Sequence, residues 1–261
     1  MDERPNYGNW VPAPMIKALW GTTAVVGVAS VVLAARKATR ALGIACAGIT
    51  CAAAGMSAYM SACRREFDFE GGALMGQIHQ IVVDHLPWNG QGTLLDVGCG
   101  AGALTIRCAK AFPQAQVHGV DMWGANWAYS REQCERNAQI EGVGERTTFS
   151  RGNAESLPFA SESFDAVVSY FVYHEVSSEP DKHALIRESL RVLKPGGAFA
   201  LHDLMCQSSM YGDMEAFCEE LRRDGISEVH FEPNTEDAPF VPAYVKAPWM
   251  ISGAGLLWGR K

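Results

Sequence analysis

Leu94-Leu95-Asp96-Val97-Gly98-Cys99-Gly100-Ala101-Gly102 decides the fold, because an apolar strand, Thr93 to Val97, runs straight into a turn built on three glycines. Gly98, Gly100 and Gly102 let the backbone bend sharply and approach a ligand that any side chain would push away. A helix is predicted from about Ala103. A second strand, Ala115 to Val120, ends in Asp121, 25 residues after Asp96, which is the spacing of the next strand in a βαβ unit. A carboxylate there can accept both ribose hydroxyls of a nucleoside, or it can cap a helix beginning near Trp123.

Further elements follow in order. A short strand at Thr147 to Phe149 ends in the polar loop Arg151 to Phe159, a fourth strand spans Phe164 to Tyr170, and a fifth spans Gly197 to His202 after the turn Leu193 to Gly197. Two last strands are expected at Glu228 to Glu232 and Gly253 to Trp258, joined by a Pro-rich connection from Pro233 to Pro248. Alternating strands and helices over fewer than about 200 residues suit one doubly wound α/β sheet. Glu66 to Leu86 should contain a helix, with Leu74, Ile78, Ile81, Val82 and His85 sharing a face.

This ordered set resembles the class I S-adenosylmethionine-dependent methyltransferases, over roughly residues 73 to 261. The resemblance implies a Rossmann-like, doubly wound, seven-stranded sheet, mostly parallel with an antiparallel last strand, and S-adenosyl-L-methionine as cofactor. It places the turn from Asp96 through Gly98, Cys99 and Gly100 to Gly102 under the methionine part, and Asp121, with Met122 beside it, at the ribose. Asn153 and Ala154 would flank the adenine, and the strand Phe164 to Tyr170 would end facing the methyl group. Many relatives carry Asp where Asn153 stands, but Asn both donates and accepts at an adenine edge. Asp121, with no basic residue read near it, argues against a 2'-phosphate. Trp123 and Trp127 either wall the adenine or acceptor pocket or, for Trp127, pack in the core.

Charge divides the chain. The first 65 residues hold two acids, Asp2 and Glu3, against seven bases, a net of about +5; the whole chain stands at -7, leaving about -12 beyond. Residues 18 to 35 and 41 to 63 carry no charge, and each is long enough to cross roughly 30 Å of hydrocarbon as a helix. With only Arg36-Lys37-Ala38-Thr39-Arg40 between them, residues 1–65 are expected to form a membrane helical hairpin through residues 18–63, ahead of a catalytic domain at 66–261. Small residues at four-residue spacing, such as Gly43 and Ala47, Gly48 and Ala52, or Ala54 and Ala58, would let the helices approach closely, within one hairpin or in an oligomer. A buried hairpin of a soluble protein and a cleaved signal peptide are the competing readings. Two spans put both chain ends on one side, with Arg4, Lys17, Arg64 and Arg65 against Arg36, Lys37 and Arg40 in the loop, so the membrane-bound enzyme is expected to face the cytoplasm.

Methyl transfer needs alignment of a nucleophile and exclusion of water more than it needs protein groups, and a base only if the acceptor must lose a proton. His174 is the candidate base or acceptor-orienting group beyond strand four. Glu175 is its partner or a first-turn helix acid. Tyr170 and Tyr173 either line the acceptor pocket or pack as core aromatics. His202-Asp203 is a second candidate pair. Strand four lacks the Asn-Pro-Pro-Tyr or Asp-Pro-Pro-Tyr type motif of amino-directed nucleic-acid methylation and the domain is acidic, which argues against DNA or RNA. The loop at Asn153 to Phe159 and the Leu193 to Gly197 turn resemble the small-molecule branch acting on quinones, sterols and phospholipid headgroups. A small, hydrophobic or membrane-resident acceptor is expected; a small soluble acceptor such as a thiol or metalloid, or cofactor binding without catalysis, stay open. Eight cysteines without a Cys-x-x-Cys pair read as reduced thiols, and no His or Cys cluster has zinc-site spacing, so no metal is expected.

Overall fold

The computed structural model describes residues 4–69, 73–124 and 129–261. The chain forms two compact units: Gly8–Met75, and the segment up to Tyr7 together with Gly76–Lys261.

The smaller unit is a helical hairpin. Helix α1, Ala13–Ala34, starts directly after Pro12, whose fixed φ suits a helix entry. A single 3₁₀ turn, Lys37–Thr39, leads into α2, Arg40–Glu66. The helices meet where they carry no side chain: a Cβ on Gly43 would lie 2.3 Å from the Ala34 nitrogen. Of the small residues expected at the contact, Gly48 has nothing within 4 Å of an added Cβ, so spacing alone overstated the seam. Polar groups turn inward, with Thr23 Oγ1 and Ser57 Oγ buried 3.2 Å apart, and at the surface Trp20 Nε1 donates to Ser61 Oγ at 3.1 Å. The branched apolar side chains turn outward, with Val25 71% and Val31 70% exposed while Ser57 is 0% exposed. Polar inside and apolar outside inverts the pattern of a water-soluble helix pair.

The larger unit begins with the rest of α3, Leu74–His85, whose Ile78 and Val82 are buried. Then come β1 (Gly92–Val97), α4 (Ala103–Ala111), β2 (Ala115–Asp121), α5 (Arg131–Ile140), β3 (Thr147–Arg151), β4 (Phe164–Tyr170), α6 (Lys182–Arg191) and β5 (Leu193–Asp203). Helices α7 (Ser208–Tyr211) and α8 (Met214–Arg223) precede β6 (Glu228–Pro233) and β7 (Gly255–Arg260). The seven strands form one sheet of order β3-β2-β1-β4-β5-β7-β6. Strands β1 to β5 pair in parallel, and β7 enters antiparallel between β5 and β6. The expected Rossmann-like doubly wound sheet with an antiparallel last strand is therefore present.

Central strands β1 and β4 read as near-continuous apolar runs because helices cover both sheet faces, and Leu94, Leu95, Ala166, Val167 and Val168 are fully buried. Two elements depart from the sequence reading. Among the described residues, the helix after β2 starts at Arg131, where the Ser130 side chain accepts from the Gln133 N–H and supplies the cap. Residues just before the hairpin also belong to this unit: Asn6 N–H donates to Asn137 Oδ1 at 2.8 Å, Asn137 Nδ2 returns to Asn6 O at 2.8 Å, and Tyr7 OH donates to Glu141 Oε1 at 3.0 Å.

Candidate active site

The sequence places the glycine turn where β1 ends and α4 begins. Gly98 N–H donates to Val120 O at 2.7 Å and Cys99 N–H to the same oxygen at 3.1 Å, tying the turn to β2. Gly98 has φ 75°, and a Cβ there would lie 2.2 Å from Val172 Cγ2, so only glycine fits. Beneath the turn, Asp96 is 1% exposed and accepts from Thr105 Oγ1 at 2.5 Å. Burial pushes its carboxyl up to about 7, against the hydrogen bond from Thr105.

Asp121 closes the same turn from β2. Its Oδ2 accepts the Gly100 N–H at 2.9 Å and its Oδ1 the Trp123 N–H at 2.7 Å. The Trp123 indole donates back to Gly100 O at 2.9 Å, with its own backbone at φ 44°. Asp121 thus ties the end of β2 to the glycine turn and to Trp123. Met122 beside it is 51% exposed. Trp127 lies outside the described residues. The sequence reading also missed a cation: Arg151 is the register partner of Asp121 across β2 and β3, brought there by strand pairing over 30 positions. The argument against a 2'-phosphate therefore rests on the acid itself, which would repel it.

Asn153 and Ala154 lie past the end of β3. Asn153 Oδ1 accepts from the Glu155 N–H at 3.1 Å and its Nδ2 donates to Glu155 Oε2 at 3.1 Å, a self-closed turn.

At the end of β4 the backbone is strained: Phe171 has φ 51°, held by its N–H donating to His202 O at 2.8 Å. Tyr170, 9% exposed, stacks on His202 at 5.6 Å and meets His79 edge-on at 4.2 Å. Asp203, 0% exposed at the end of β5, is the hub. Its Oδ2 accepts the Val172 and Tyr173 N–H groups at 2.9 and 2.8 Å, and its Oδ1 accepts from Leu204 N–H at 2.7 Å and from His174 Nδ1 at 2.6 Å. His174 Nε2 stands 3.4 Å from Glu175 Oε1. Burial opposes charge on His174, but the bonds to Asp203 and Glu175 outweigh it and raise its pKa to about 9. Burial opposes charge on Asp203 too, and His174 and the N–H donors hold its carboxyl below the usual range.

Three expectations need correction here. Tyr173 does not line a pocket: it is 0% exposed, with its hydroxyl 2.9 Å from Ser189 Oγ, because the turn after β4 drives it into the core under α6. His202 and Asp203 are not a pair; alternation along β5 sends them to opposite faces, so Asp203 meets His174 while His202 Nε2 meets Thr235 Oγ1 at 2.7 Å. And a histidine kept protonated to about pH 9 is poorly matched to accept a proton near neutrality.

A glycine turn at the end of a central parallel strand, an acid at the end of its neighbour and a strained β4 terminus meet at the carboxyl ends of the strands, where open α/β sheets bind ligands. Residues 95–201 match the family described as methyltransferase domain. The 27-O-demethylrifamycin SV methyltransferase of Amycolatopsis mediterranei is 32% identical over 182 residues, covering 63% of this chain and 62% of that protein. The chain thus spans about three-fifths of that relative's length. Among solved structures, the [4+2]-cyclase SpnF superposes with TM-score 0.54 at 22% identity, over 71% of this chain and 80% of that one. Geranyl diphosphate C-methyltransferase of Streptomyces coelicolor A3(2), solved with S-adenosyl-L-homocysteine, gives TM-score 0.53 at 16% identity, over 73% of this chain and 80% of that one. Residues 95–201 thus match a methyltransferase domain, and the chain is similar to S-adenosylmethionine-dependent methyltransferases of the small-molecule type.

Proposed function

We propose that this protein methylates a small, hydrophobic, membrane-resident acceptor, with residues 1–65 forming a membrane hairpin and residues 66–261 the catalytic domain on the cytoplasmic side. The observation that carries the membrane reading is the inverted hairpin: Thr23, Ser30 and Ser57 buried, Val25, Val28, Val31, Ile44 and Ile49 exposed. In water that apolar surface costs roughly 25 cal/mol per Å²; in hydrocarbon it costs nothing. Both helices also have the length and hydropathy of a span. The excess of bases at Arg4, Lys17, Arg64 and Arg65 over Arg36, Lys37 and Arg40 supports the cytoplasmic side, where the cofactor is made.

The cofactor's chemistry fits the residues present. Bound S-adenosylmethionine supplies an already activated methyl group on a sulfonium. Gly98, Cys99, Gly100 and Gly102 let backbone approach its methionine part above Asp96. Asp121 meets the ribose hydroxyls, exchanging its loop contacts for them, beside Met122. Asn153 and Ala154 hold the adenine edge, and Tyr170 closes the reacting end. His174, fixed through Nδ1 by Asp203, orients the acceptor by donating its Nε2–H in place of the long contact to Glu175, rather than by removing a proton.

A second reading has a specific observation behind it: the superposed SpnF is a [4+2]-cyclase, so this fold does not by itself dictate methyl transfer. One experiment separates the cases. Purified full-length protein is incubated with methyl-labelled adenosylmethionine and, in parallel, a total lipid extract and a soluble metabolite extract. Label in a lipid supports the proposal, and label only in soluble products reduces the hairpin to a tether. Cofactor binding without transfer to either pool favours a non-methylating role.

A further inference from the structure

The connection between β6 and β7 folds back over the ends of β4 and β5. Thr235, Glu236, Val241, Ile251 and Ala254 from this connection line a recess with Ile78, Phe171 and His202. Most of that lining is hydrocarbon. Two polar side chains interrupt it, and both are nine-tenths buried or more: His202 is 1% exposed and Glu236 8%.

Each is half-satisfied. Glu236 Oε1 accepts the Gly253 N–H at 2.6 Å, and His202 Nε2 meets Thr235 Oγ1 at 2.7 Å. Glu236 Oε2 and His202 Nδ1 have no hydrogen-bond partner among the described residues. A buried polar atom left unpaired costs about 1–3 kcal/mol, more when charged, and two around one apolar recess are not explained by packing. Burial also holds the His202 pKa down, to about 4, so its ring is neutral at ordinary pH. When the Thr235 hydroxyl is the donor in its bond to Nε2, the proton sits on Nδ1, which becomes a donor. The recess then offers one acceptor, the carboxylate oxygen, and one donor, the imidazole N–H, in apolar walls.

The geometry points to a recognition site for a hydroxyl group on a lipophilic acceptor, in which Glu236 Oε2 accepts the hydroxyl proton and His202 Nδ1–H donates to its oxygen. A hydroxyl satisfies both atoms at once. A carbonyl leaves the carboxylate unpaired, and an ammonium leaves the imidazole N–H unpaired. His202 is the register partner of Tyr170, whose strand end faces the reacting centre on the methyltransferase reading. The inference deepens the proposed function and rests on its apolar acceptor. Thr235 is a positioning residue, since its bond to Nε2 sets the tautomer of His202.

The test uses binding, so it does not depend on turnover. Full-length protein is titrated with cyclohexanol and with methoxycyclohexane, its methyl ether, and contact is read by saturation-transfer NMR; S-adenosylhomocysteine affinity is measured on the same samples. The wild type should bind the alcohol at least about tenfold more tightly than the ether, since a site built to hydrogen-bond a hydroxyl rejects the analogue lacking its proton. Glu236→Gln and His202→Phe should each erase that preference while ether binding and S-adenosylhomocysteine affinity stay unchanged. Thr235→Val, which releases the tautomer, should reduce it, and Thr235→Ser should restore it. Equal binding of alcohol and ether, no binding of either, or a preference that survives both Glu236→Gln and His202→Phe would each overturn the inference. Loss of S-adenosylhomocysteine binding with the alcohol preference intact would instead sink the methyltransferase reading and leave the hydroxyl site standing.

Discussion

Replacing Asp203 with Asn keeps the side chain's shape and removes the charge on which His174 depends. In the native protein the His174 pKa stands at about 9 against an ordinary 6.5. At 1.36 kcal/mol per unit, that difference corresponds to about 3 kcal/mol of coupling, the lower edge of the roughly 3–5 kcal/mol typical for breaking a buried pair. His174 is 18% exposed and Asp203 0%, so solvent screening discounts little of it. The sign follows from linkage: the folded pKa lies above the unfolded one, so the stabilisation is complete below about pH 6.5 and is lost as pH rises through about 9. In Asp203→Asn burial, which lowers the pKa, is opposed only by Glu175, and the His174 midpoint should fall well below 9. The assay is a histidine-ring NMR titration, assigned with His174→Gln, beside urea unfolding at pH 6 and at pH 9.5. The variant should lose up to about 3 kcal/mol more at pH 6 than at pH 9.5, the Glu175 share remaining. A wild-type midpoint near 6.5, or one that Asp203→Asn leaves in place, would refute the reasoning.

Asp121→Ala should weaken S-adenosylmethionine binding about ten- to a hundredfold, the worth of one or two hydrogen bonds to a charged acceptor, by calorimetric titration; unchanged affinity removes Asp121 from the site. Gly98→Ala forces a Cβ to within 2.2 Å of Val172 at φ 75° and should lower the thermal midpoint and the cofactor affinity together, whereas Gly142→Ala, with φ 71° but open space, should cost only about 1–2 kcal/mol of backbone strain and spare the cofactor. Tyr173→Phe should lose about 1 kcal/mol of stability, measured by urea unfolding, with cofactor affinity and labelling unchanged; a selective loss of transfer would return Tyr173 to the acceptor pocket. Because His202 is held to about 4 when folded, its contribution is complete above about pH 6.5 and drains away as pH falls towards 4; His202→Phe should therefore flatten the acid limb of a stability profile.

The parts of the molecule that are periodic or local were legible in residue order. Strand β4 matches Phe164 to Tyr170 at both ends, and the glycine turn with Asp121 was read from one nonapeptide and one spacing. Pairings between distant segments were not legible. Nothing in the string joins Asp203 to His174 across 29 positions, because the β4–β5 register does that, and the same register puts His202 beside Tyr170. The role of Thr235 and Glu236 was hidden for a similar reason: a Pro-rich connection gives no period, and only the antiparallel entry of β7 brings it back over the sheet. Tyr173 misled because an aromatic one residue before a functional histidine reads as its neighbour, while a 3₁₀ turn sends the two side chains in different directions.

Asn6 and Tyr7, anchored on α5, change what kind of attachment the apolar helices are. A module fused to one end of a domain swings on a single strand of chain. Here the chain leaves the catalytic unit after Tyr7 and re-enters it at Gly76, so the hairpin is an insertion with two roots in one body. A protease cut in the Lys37–Thr39 turn would leave each half still rooted.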